Sequence, residues 1–569
     1  MSQTGRIRFI GICICFFSLI IVSRLYFLQA IKTEAYREQA DRQYIRKGQG
    51  VFDRGSIYFS PRKRDPISAA TLKSGYTVAI NPRQIEYPED IYNGLSGILN
   101  LEEETLLPLV SNPKGSYKEI ARRISVEKKD RIINLDLGGV DVYSERWRDY
   151  PAGPLAANVL GLVGYGRDGT SFDGQYGLER YYNSTLSRDG SGLYVNFFAQ
   201  IFSGAVNAIA GNNDEGDIIT SIEPSVQIEL ERKLAGVMEK WGSELTGGII
   251  MDPKTGEIFA MGVNPSFDPN NISKETDSNI FGNPIVDRVY EMGSIIKPLG
   301  VAAALDMDLV TADTTYDDTG TLVINGSRIS NYDGKARGIT TVQSILNQSL
   351  NIGMAFITKK LGNENLTKYF LSYGFGKETG IDLPGEVHGL VSNLNTNRDI
   401  EHVTASYGQG IALTPIETIR ALSALGNGGF LPDPHIVKEI TYASGKSKVL
   451  AYGGVKDQVF KKETSEEITR MLVKVFDDAL LGGTVKFDHY SMAAKTGTAQ
   501  MANPVDGGYY QDRYLHSFFG YFPAYNPRFI IFLYTVYPKD VQYASRTLTT
   551  PFVDMAKFLI NYYEIPPDR

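Results

Sequence analysis

Apolar residues recur along several stretches of the chain with spacings that predict defined elements. Between Val226 and Trp241 the apolar positions lie three or four residues apart, which predicts an amphipathic helix. The β-rich runs in 246–263 and in 517–537 each surround a short segment of turn residues, so each stretch predicts a β-hairpin. Because helical stretches lie between these hairpins, the order predicts an antiparallel sheet covered by helices.

A long apolar run near the N-terminus indicates a membrane segment. Residues 9–22 carry no charge, and the run continues to residue 28 after Ser23 and Arg24. A helix over 9–28 is long enough, at about 1.5 Å per residue, to cross a hydrocarbon core of about 30 Å. We therefore predict a transmembrane anchor at 9–28 behind a short tail of residues 1–8. The alternative is a cleaved signal peptide.

Composition narrows the classes of function. The chain has 569 residues, a formal charge of −7, 42% hydrophobic and 22% charged residues, which are ordinary values for a folded protein. The negative charge argues against nucleic acid as the main partner, because phosphate binding needs a basic face. The two cysteines, Cys13 and Cys15, both lie in the apolar run, which excludes a disulfide framework and a cysteine zinc site downstream.

The polar, glycine-containing stretch 211–217 is the main candidate for a domain boundary.

Three short motifs point to a serine enzyme that uses lysine as its base. The sequence has no G-x-S-x-G elbow and no H-E-x-x-H motif, and it has five histidines. It does contain S-x-x-K, S-x-N and K-T-G in that order along the chain; these motifs are Ser294 to Lys297, Ser349 to Asn351, and Lys495 to Gly497. Each motif occurs often by chance, but the ordered set is much more specific.

With these motifs the sequence resembles the class B penicillin-binding proteins, which are membrane-anchored D,D-transpeptidases of bacterial cell-wall synthesis. The resemblance extends over nearly the whole chain. It includes the segments Arg54-Gly55-Ser56-Ile57-Tyr58, Gly177-Leu178-Glu179, 216–223, 252–258 and 264–270. The run Ser406-Tyr407-Gly408-Gln409-Gly410, with Thr414-Pro415 after it, is similar above all to the septal, cell-division branch. Met292, Ile295 and Ala494 depart from the family's usual proline, threonine and glycine.

The resemblance implies a fold of mixed α+β class in three parts. These are the transmembrane helix, an elongated α+β pedestal over 29–221 that serves interactions and carries no chemistry, and an α/β transpeptidase domain over 222–569. It implies no cofactor and no metal. The implied partners are peptidoglycan stem peptides as donor and acceptor, β-lactams, a membrane glycan polymerase and other division proteins. Since the substrate lies outside the cytoplasmic membrane, the resemblance implies a single-pass protein with a cytoplasmic N-terminus and an extracytoplasmic catalytic domain.

The resemblance also implies a role for each site residue. Ser294 is the nucleophile, Lys297 its base and Lys495 a second cation, while Ser349 bridges the two lysines and Asn351 holds the substrate's peptide amide. Thr496 and Thr498 bind the substrate carboxylate, Gly497 lets the substrate strand lie close, and the backbone N–H groups of Ser294 and Thr498 form the oxyanion hole.

Elementary electrostatics agrees with lysine as the base. On a helix, positions 294 and 297 share a face, so the Lys297 amine can lie beside the Ser294 hydroxyl. A free lysine titrates near about 10.4, but burial and a second ammonium both favour its neutral form. At roughly 4 Å and an effective dielectric of about 20, the repulsion from Lys495 is about 4 kcal/mol.

Two other classes of function stay open from the sequence. A β-lactamase or β-lactam sensor shares the catalytic fold, and a division scaffold could keep the fold without activity. Intact motifs weaken the scaffold hypothesis, which predicts no covalent penicillin adduct.

Overall fold

The computed structural model describes residues 52–112, 117–166, 172–188, 215–452, 457–503, 505 and 507–569. The predicted tail at 1–8 and the predicted anchor at 9–28 lie outside these ranges. Among the described residues, no helix has the length and apolar character needed to cross a membrane.

The strands of the described residues are named β1 to β18 in chain order. They are β1 Ile57–Phe59, β2 Ile67–Ile80, β3 Lys118–Ile124, β4 Val140–Asp149, β5 Val163–Tyr165, β6 Phe172–Gly174, β7 Gly216–Thr220, β8 Leu245–Met251, β9 Ile258–Asn264, β10 Thr315–Asp318, β11 Thr321–Ile324, β12 Ser327–Ser330, β13 Gly338–Thr341, β14 Val437–Tyr442, β15 Ser447–Val449, β16 Ala493–Ala502, β17 Tyr509–Phe522 and β18 Phe529–Val536.

The α-helices of the same residues vary from one turn to five turns. They are Pro88–Leu99, Glu103–Val110, Val126–Ile133, Ala157–Leu160, Gly177–Tyr181, Asn183–Leu186, Pro224–Trp241, Pro284–Asp287, Lys297–Asp306, Val342–Asn347, Asn351–Leu361, Asn363–Ser372, Asp399–Ser406, Pro415–Ser423, Lys462–Lys474, Ala544–Thr547 and Thr549–Tyr563. A 3₁₀ turn at Gly293–Ile295 directly precedes the helix Lys297–Asp306.

The chain divides into two compact units. The smaller unit contains Ser74–Trp147, and the larger contains Arg54–Lys73, Arg148–Arg188 and Gly211–Arg569. In the smaller unit, β3 and β4 both pair with β2. Its helices bury apolar side chains such as Leu95 and Val110 together with Val78 of the sheet. This unit is therefore a small α+β layer with a core of its own.

The larger unit is organised around a five-stranded antiparallel sheet in the order β16-β17-β18-β8-β9. The helices Pro224–Trp241 and Thr549–Tyr563 contribute to one core that includes Phe518 and Phe552. A second core contains Ile295, Leu299 and further residues of the catalytic-motif helices. The predicted antiparallel sheet with helical cover is thus confirmed.

The local predictions also correspond to observed elements. The amphipathic helix is Pro224–Trp241, with Val226, Leu230 and Leu234 buried. The first predicted hairpin is β8 and β9, where Gly256 has φ +87° and donates its N–H to the carbonyl of Asp252. The second is β17 and β18. These patterns succeed because hairpins and amphipathic helices depend on residues that are close in sequence.

Candidate active site

The predicted nucleophile lies on a tight turn and not on the body of a helix. Ser294 is half-buried within the 3₁₀ turn Gly293–Ile295, and Lys297 is the first residue of the following helix. Pro298 follows in the first helical turn, where a missing N–H removes no helical hydrogen bond. Within the described residues, no hydrogen bond to the Ser294 hydroxyl is found. The expected contact between the Lys297 amine and this hydroxyl is therefore not among the hydrogen bonds of the described residues.

Two glycines let the nucleophile turn lie against β16. Gly293 has φ +65°, and a Cβ there would lie 3.0 Å from the carbonyl oxygen of Thr498. A Cβ on Gly497 would lie 2.7 Å from the carbonyl oxygen of Met292. The atom closest to that Cβ would be Ser517 Oγ on β17, so both the neighbouring strand and the residue before the turn crowd position 497, whereas the resemblance implied space for a substrate strand.

The amine of Lys297 lies inside the protein and has three oxygen partners among the described residues. Its side chain has no exposed surface. The Nζ atom donates to the Ser349 carbonyl at 2.6 Å, to Asn351 Oδ1 at 2.8 Å and to Ser349 Oγ at 3.2 Å. The S-x-x-K and S-x-N motifs therefore meet at this amine.

Lys495 reaches the same serine from the sheet. It lies on β16, is 3% exposed, and donates to Ser349 Oγ at 3.2 Å and to the carbonyl of Thr496 at 2.9 Å. The Ser349 hydroxyl consequently lies between the two amines, which can be no further apart than twice 3.2 Å. Ser349 has φ +56°, which is uncommon for a residue other than glycine. Backbone conformations of this kind cluster at functional sites.

Burial is the main cause of the altered lysine titration. Desolvation lowers the pKa of Lys297 well below its usual value, and the positive charge of Lys495 lowers it further. Desolvation also lowers the pKa of Lys495 to about 7. Of the two effects expected from the sequence, burial lowers the pKa of Lys297 more than the repulsion from Lys495 does. Both effects on Lys297 favour the neutral form of its amine, which is the form that a general base requires.

Asn351 has both side-chain groups engaged within the protein. Its Oδ1 accepts from Lys297, and its Nδ2 donates to the carbonyl of Ser330 at 2.9 Å. Asn331 accepts from the backbone N–H of Asn351 at 3.0 Å and thereby fixes the start of the helix Asn351–Leu361. A substrate amide would have to exchange with one of these partners.

The face of β16 that was predicted to bind a carboxylate is partly exposed. Thr496 and Thr498 are two residues apart on the strand, so their side chains share a face. The backbone N–H of Ala544 donates to Thr498 Oγ1 at 3.1 Å, which leaves the threonine hydroxyl free to donate its proton elsewhere. β16 is the edge strand of its sheet, so an extended peptide can align beside it.

Several residues near the site were not predicted as site residues. The ring of Tyr407 lies 5.9 Å from Lys297 Nζ, and Glu291 binds two segments that surround the nucleophile turn. Tyr407 lies in a segment that resembles the septal branch, and Glu291 lies three residues before Ser294 of the S-x-x-K motif, so the sequence offered a signal for both. For Asn331 and Ala544 the sequence offers no such signal, because their roles depend on contacts across the fold. The departures Met292 and Ile295 are buried in the core beneath the turn.

Comparison with known families identifies the class of protein. Residues 246–556 match the penicillin-binding protein transpeptidase domain, and residues 53–194 match the penicillin-binding protein dimerisation domain. Stage V sporulation protein D of Bacillus subtilis (strain 168) is 32% identical over 94% of this chain and 82% of its own length. The chain belongs to the penicillin-binding proteins with a transpeptidase domain, as the motifs indicated.

Further relatives and solved structures agree. The peptidoglycan D,D-transpeptidase FtsI of Escherichia coli (strain K12) is 26% identical over 96% of this chain and 90% of its own. Penicillin-binding protein 2X from Streptococcus thermophilus superimposes with a TM-score of 0.73 at 20% identity, covering 91% of this chain and 81% of that one. Penicillin-binding protein 3 from Mycobacterium tuberculosis, complexed with aztreonam, has a TM-score of 0.68 at 22% identity, covering 91% and 98%. These two structures share the fold of this chain.

Proposed function

We propose that this protein is a peptidoglycan D,D-transpeptidase that crosslinks stem peptides through an acyl-serine on Ser294 and that β-lactams inhibit covalently. The observation that carries the proposal is the buried cluster in which Lys297 and Lys495 both contact the Ser349 hydroxyl at 3.2 Å, close to the turn of Ser294. Relatives named peptidoglycan D,D-transpeptidases support it.

Acylation begins with the neutral amine of Lys297 taking the proton of the Ser294 hydroxyl. The oxygen attacks the penultimate carbonyl of a stem peptide that ends in D-Ala-D-Ala, and the N–H groups of Ser294 and Thr498 stabilise the oxyanion, each at about 2.7–4 kcal/mol. The C–N bond then breaks, and the proton passes through Ser349 to the amine of the leaving D-alanine.

The donor carboxylate is bound on the exposed face of β16. The hydroxyl groups of Thr496 and Thr498 donate to it, and the cationic form of Lys495 attracts it. After D-alanine has left, an amine of a second stem peptide attacks the ester carbonyl. Lys297 takes a proton from this amine and passes it to the Ser294 oxygen as the ester bond breaks. Ser294 thereby recovers its hydroxyl, and the new amide is the crosslink.

The sequence and the named relatives together favour a role in division. The similarity of Ser406–Gly410 to the septal branch, and relatives named FtsI and stage V sporulation protein D, support action at a septum. We assign catalysis to 222–569, interactions to 29–221 and anchoring in the cytoplasmic membrane to 9–28, with the catalytic domain outside the cytoplasm. A separate membrane polymerase must then supply the glycan, and other division proteins are the further partners.

The proposal predicts one long-lived penicillin adduct. The full-length protein in detergent, treated with benzylpenicillin, should gain the mass of one intact penicillin on the peptide containing Ser294, as measured by intact-mass and peptide-mass spectrometry. The adduct should persist far beyond a timescale on the order of seconds, because the sequence has no segment of the kind that supplies a water-activating glutamate in class A β-lactamases. Class A β-lactamases carry that base in a Glu-x-x-Leu-Asn segment, and the corresponding positions before the four Leu-Asn pairs here are Ser96, Gln343, Asn347 and Val391.

The matched control is Ser294→Ala, which should gain no mass. An adduct that decays within seconds with steady penicillin turnover would identify a β-lactamase. A wild-type protein that forms no adduct would identify an inactive scaffold.

Neutralising Lys495 should change the pH dependence of acylation in two ways. In the wild type, acylation rises with pH as Lys297 loses its proton and falls through about pH 7 as Lys495 loses the charge that attracts the carboxylate. In Lys495→Gln the falling limb should disappear. The rising limb should move to higher pH by on the order of one to two pH units, since a repulsion of about 3 kcal/mol at roughly 6 Å is removed.

The measurement is the second-order rate of penicillin acylation between about pH 5 and pH 10. The exposed Lys486, replaced by glutamine, is the control and should leave the profile unchanged. A Lys495→Gln profile that coincides with the wild type would contradict the coupling.

A further inference from the structure

Glu291 connects three segments that surround the nucleophile. It lies three residues before Ser294. Its Oε1 atom accepts from the backbone N–H of Gly410 at 3.0 Å and from the hydroxyl of Tyr509 at 3.0 Å. Tyr509 is the first residue of β17 and is 218 positions away in the sequence, so this carboxylate links parts of the fold that no local pattern relates.

The loop that Glu291 holds also contacts the nucleophile and its base. The carbonyl of Gly408 accepts from the N–H of Gly293 at 3.0 Å, and a Cβ on Gly408 would lie 2.8 Å from that same nitrogen. The ring of Tyr407 lies 5.9 Å from the amine of Lys297. The position of this loop therefore determines where the turn of Ser294 can lie.

Through Tyr509, Glu291 is also connected to β16, the strand beside which we propose that the donor peptide binds. Tyr509 pairs in register with Ala502, the last residue of β16. The same strand carries Thr498, whose backbone lies against Gly293. Glu291 thus connects the turn of Ser294 with the far end of the edge along which an extended donor would align.

Packing alone does not account for a carboxylate at this position. The Oε2 atom of Glu291 is buried and has no hydrogen-bond partner among the described residues. Burial also raises the pKa of this carboxyl. An unsatisfied buried oxygen is costly, so its presence calls for a compensating role.

We propose that Glu291 is a positioning residue for acyl transfer, which holds the turn of Ser294 at a set distance from β16 through Gly410 and Tyr509. This inference rests on the proposed function. The link acts on the geometry between the serine oxygen and the oxyanion N–H of Thr498. Its loss should consequently lower the rate constant of acylation more than the affinity of the complex that precedes it.

The test separates these two constants with a fluorescent penicillin in stopped flow. Glu291→Ala should lower the acylation rate constant by about tenfold or more, because the hydrogen bonds from Gly410 and Tyr509 are both lost, while the dissociation constant changes by less than about threefold. Glu291→Gln should restore most of the rate, since its Oε1 can still accept from both donors.

Tyr509→Phe tests the same link without opening a cavity at Glu291. It should lower the acylation rate constant on its own and have little further effect when combined with Glu291→Ala, because both changes break the same bond. Additive losses in this double-mutant cycle would overturn the inference.

Glu417→Ala is the matched control. Glu417 is also buried, and its side chain accepts from the backbone N–H groups of Gly376 and Thr414 away from the lysine cluster. Its loss should lower the melting temperature without lowering the acylation rate constant of the folded protein. If Glu291→Ala acylates at the wild-type rate, or if Glu417→Ala loses as much activity, Glu291 is not a positioning residue. A wild-type protein without an adduct on Ser294 would instead refute the proposed function.

Discussion

Replacement of Lys297 by alanine should slow the acylation of Ser294 by about 10²–10⁴-fold, the usual contribution of a positioned general base. The expected loss is large because burial lowers the pKa of Lys297 well below its usual value, which favours the neutral amine that a general base requires. Within the part of the chain that the structure describes, no histidine takes part in the hydrogen bonds of this cluster. The measurement is the second-order rate of labelling by a fluorescent penicillin.

Thermal unfolding should show that the Lys297→Ala protein remains folded, since the substitution removes a buried amine without leaving an opposite charge unpaired. The control is Lys368→Ala, an exposed lysine in the same unit, which should label at the wild-type rate. Labelling of Lys297→Ala within tenfold of the wild type would show that another group accepts the serine proton.

Glu179→Ala should destabilise the protein by about 3–5 kcal/mol, because it leaves two buried guanidinium groups without their counter-charge. Arg54 Nε donates to Glu179 Oε2 at 2.5 Å, and Arg148 Nε donates to Glu179 Oε1 at 2.6 Å. The exposed fractions of these three side chains are between 0% and 2%. The measurement is urea denaturation of the wild type and of Glu179→Ala, which gives the difference in midpoint and in free energy of unfolding.

The control for this loss is Glu467→Ala. Glu467 and Arg470 are also 2.6 Å apart, but their side chains are 35% and 45% exposed. An exposed pair of this kind contributes only about 0.2–1 kcal/mol. If the two substitutions lower stability equally, the buried cluster does not have the structural importance that its geometry indicates.

The same cluster illustrates the limit of motif analysis. Arg54 and Glu179 belong to two separate segments that resemble the family, and nothing in the sequence relates one to the other. In the structure Arg54 and Glu179, which are 125 positions apart in the sequence, form a buried ion pair. Arg148 binds the other oxygen of the same carboxylate. Only the folded chain shows that these segments stabilise each other.

The catalytic residues show a similar division. The resemblance implied that Ser349 bridges Lys297 and Lys495 near Ser294. In the structure both lysine amines lie 3.2 Å from the Ser349 hydroxyl. The sequence did not reveal that Asn331 fixes Asn351, that Ala544 orients Thr498, or that Glu291 joins the nucleophile turn to β17. It also placed Ser294 on a helix, whereas the serine lies on a 3₁₀ turn before one.

The sequence by itself determined the class of chemistry and the local elements of this protein. The reacting groups are carried by residue types at fixed short spacings, and the hairpins and the helix Pro224–Trp241 follow from periodicities over a few residues. The tertiary structure alone decided which groups meet, how deeply each lysine is buried and in which direction burial shifts its pKa. The reason is physical: desolvation and contact depend on distances between residues far apart in the chain, such as the 146 positions between Ser349 and Lys495.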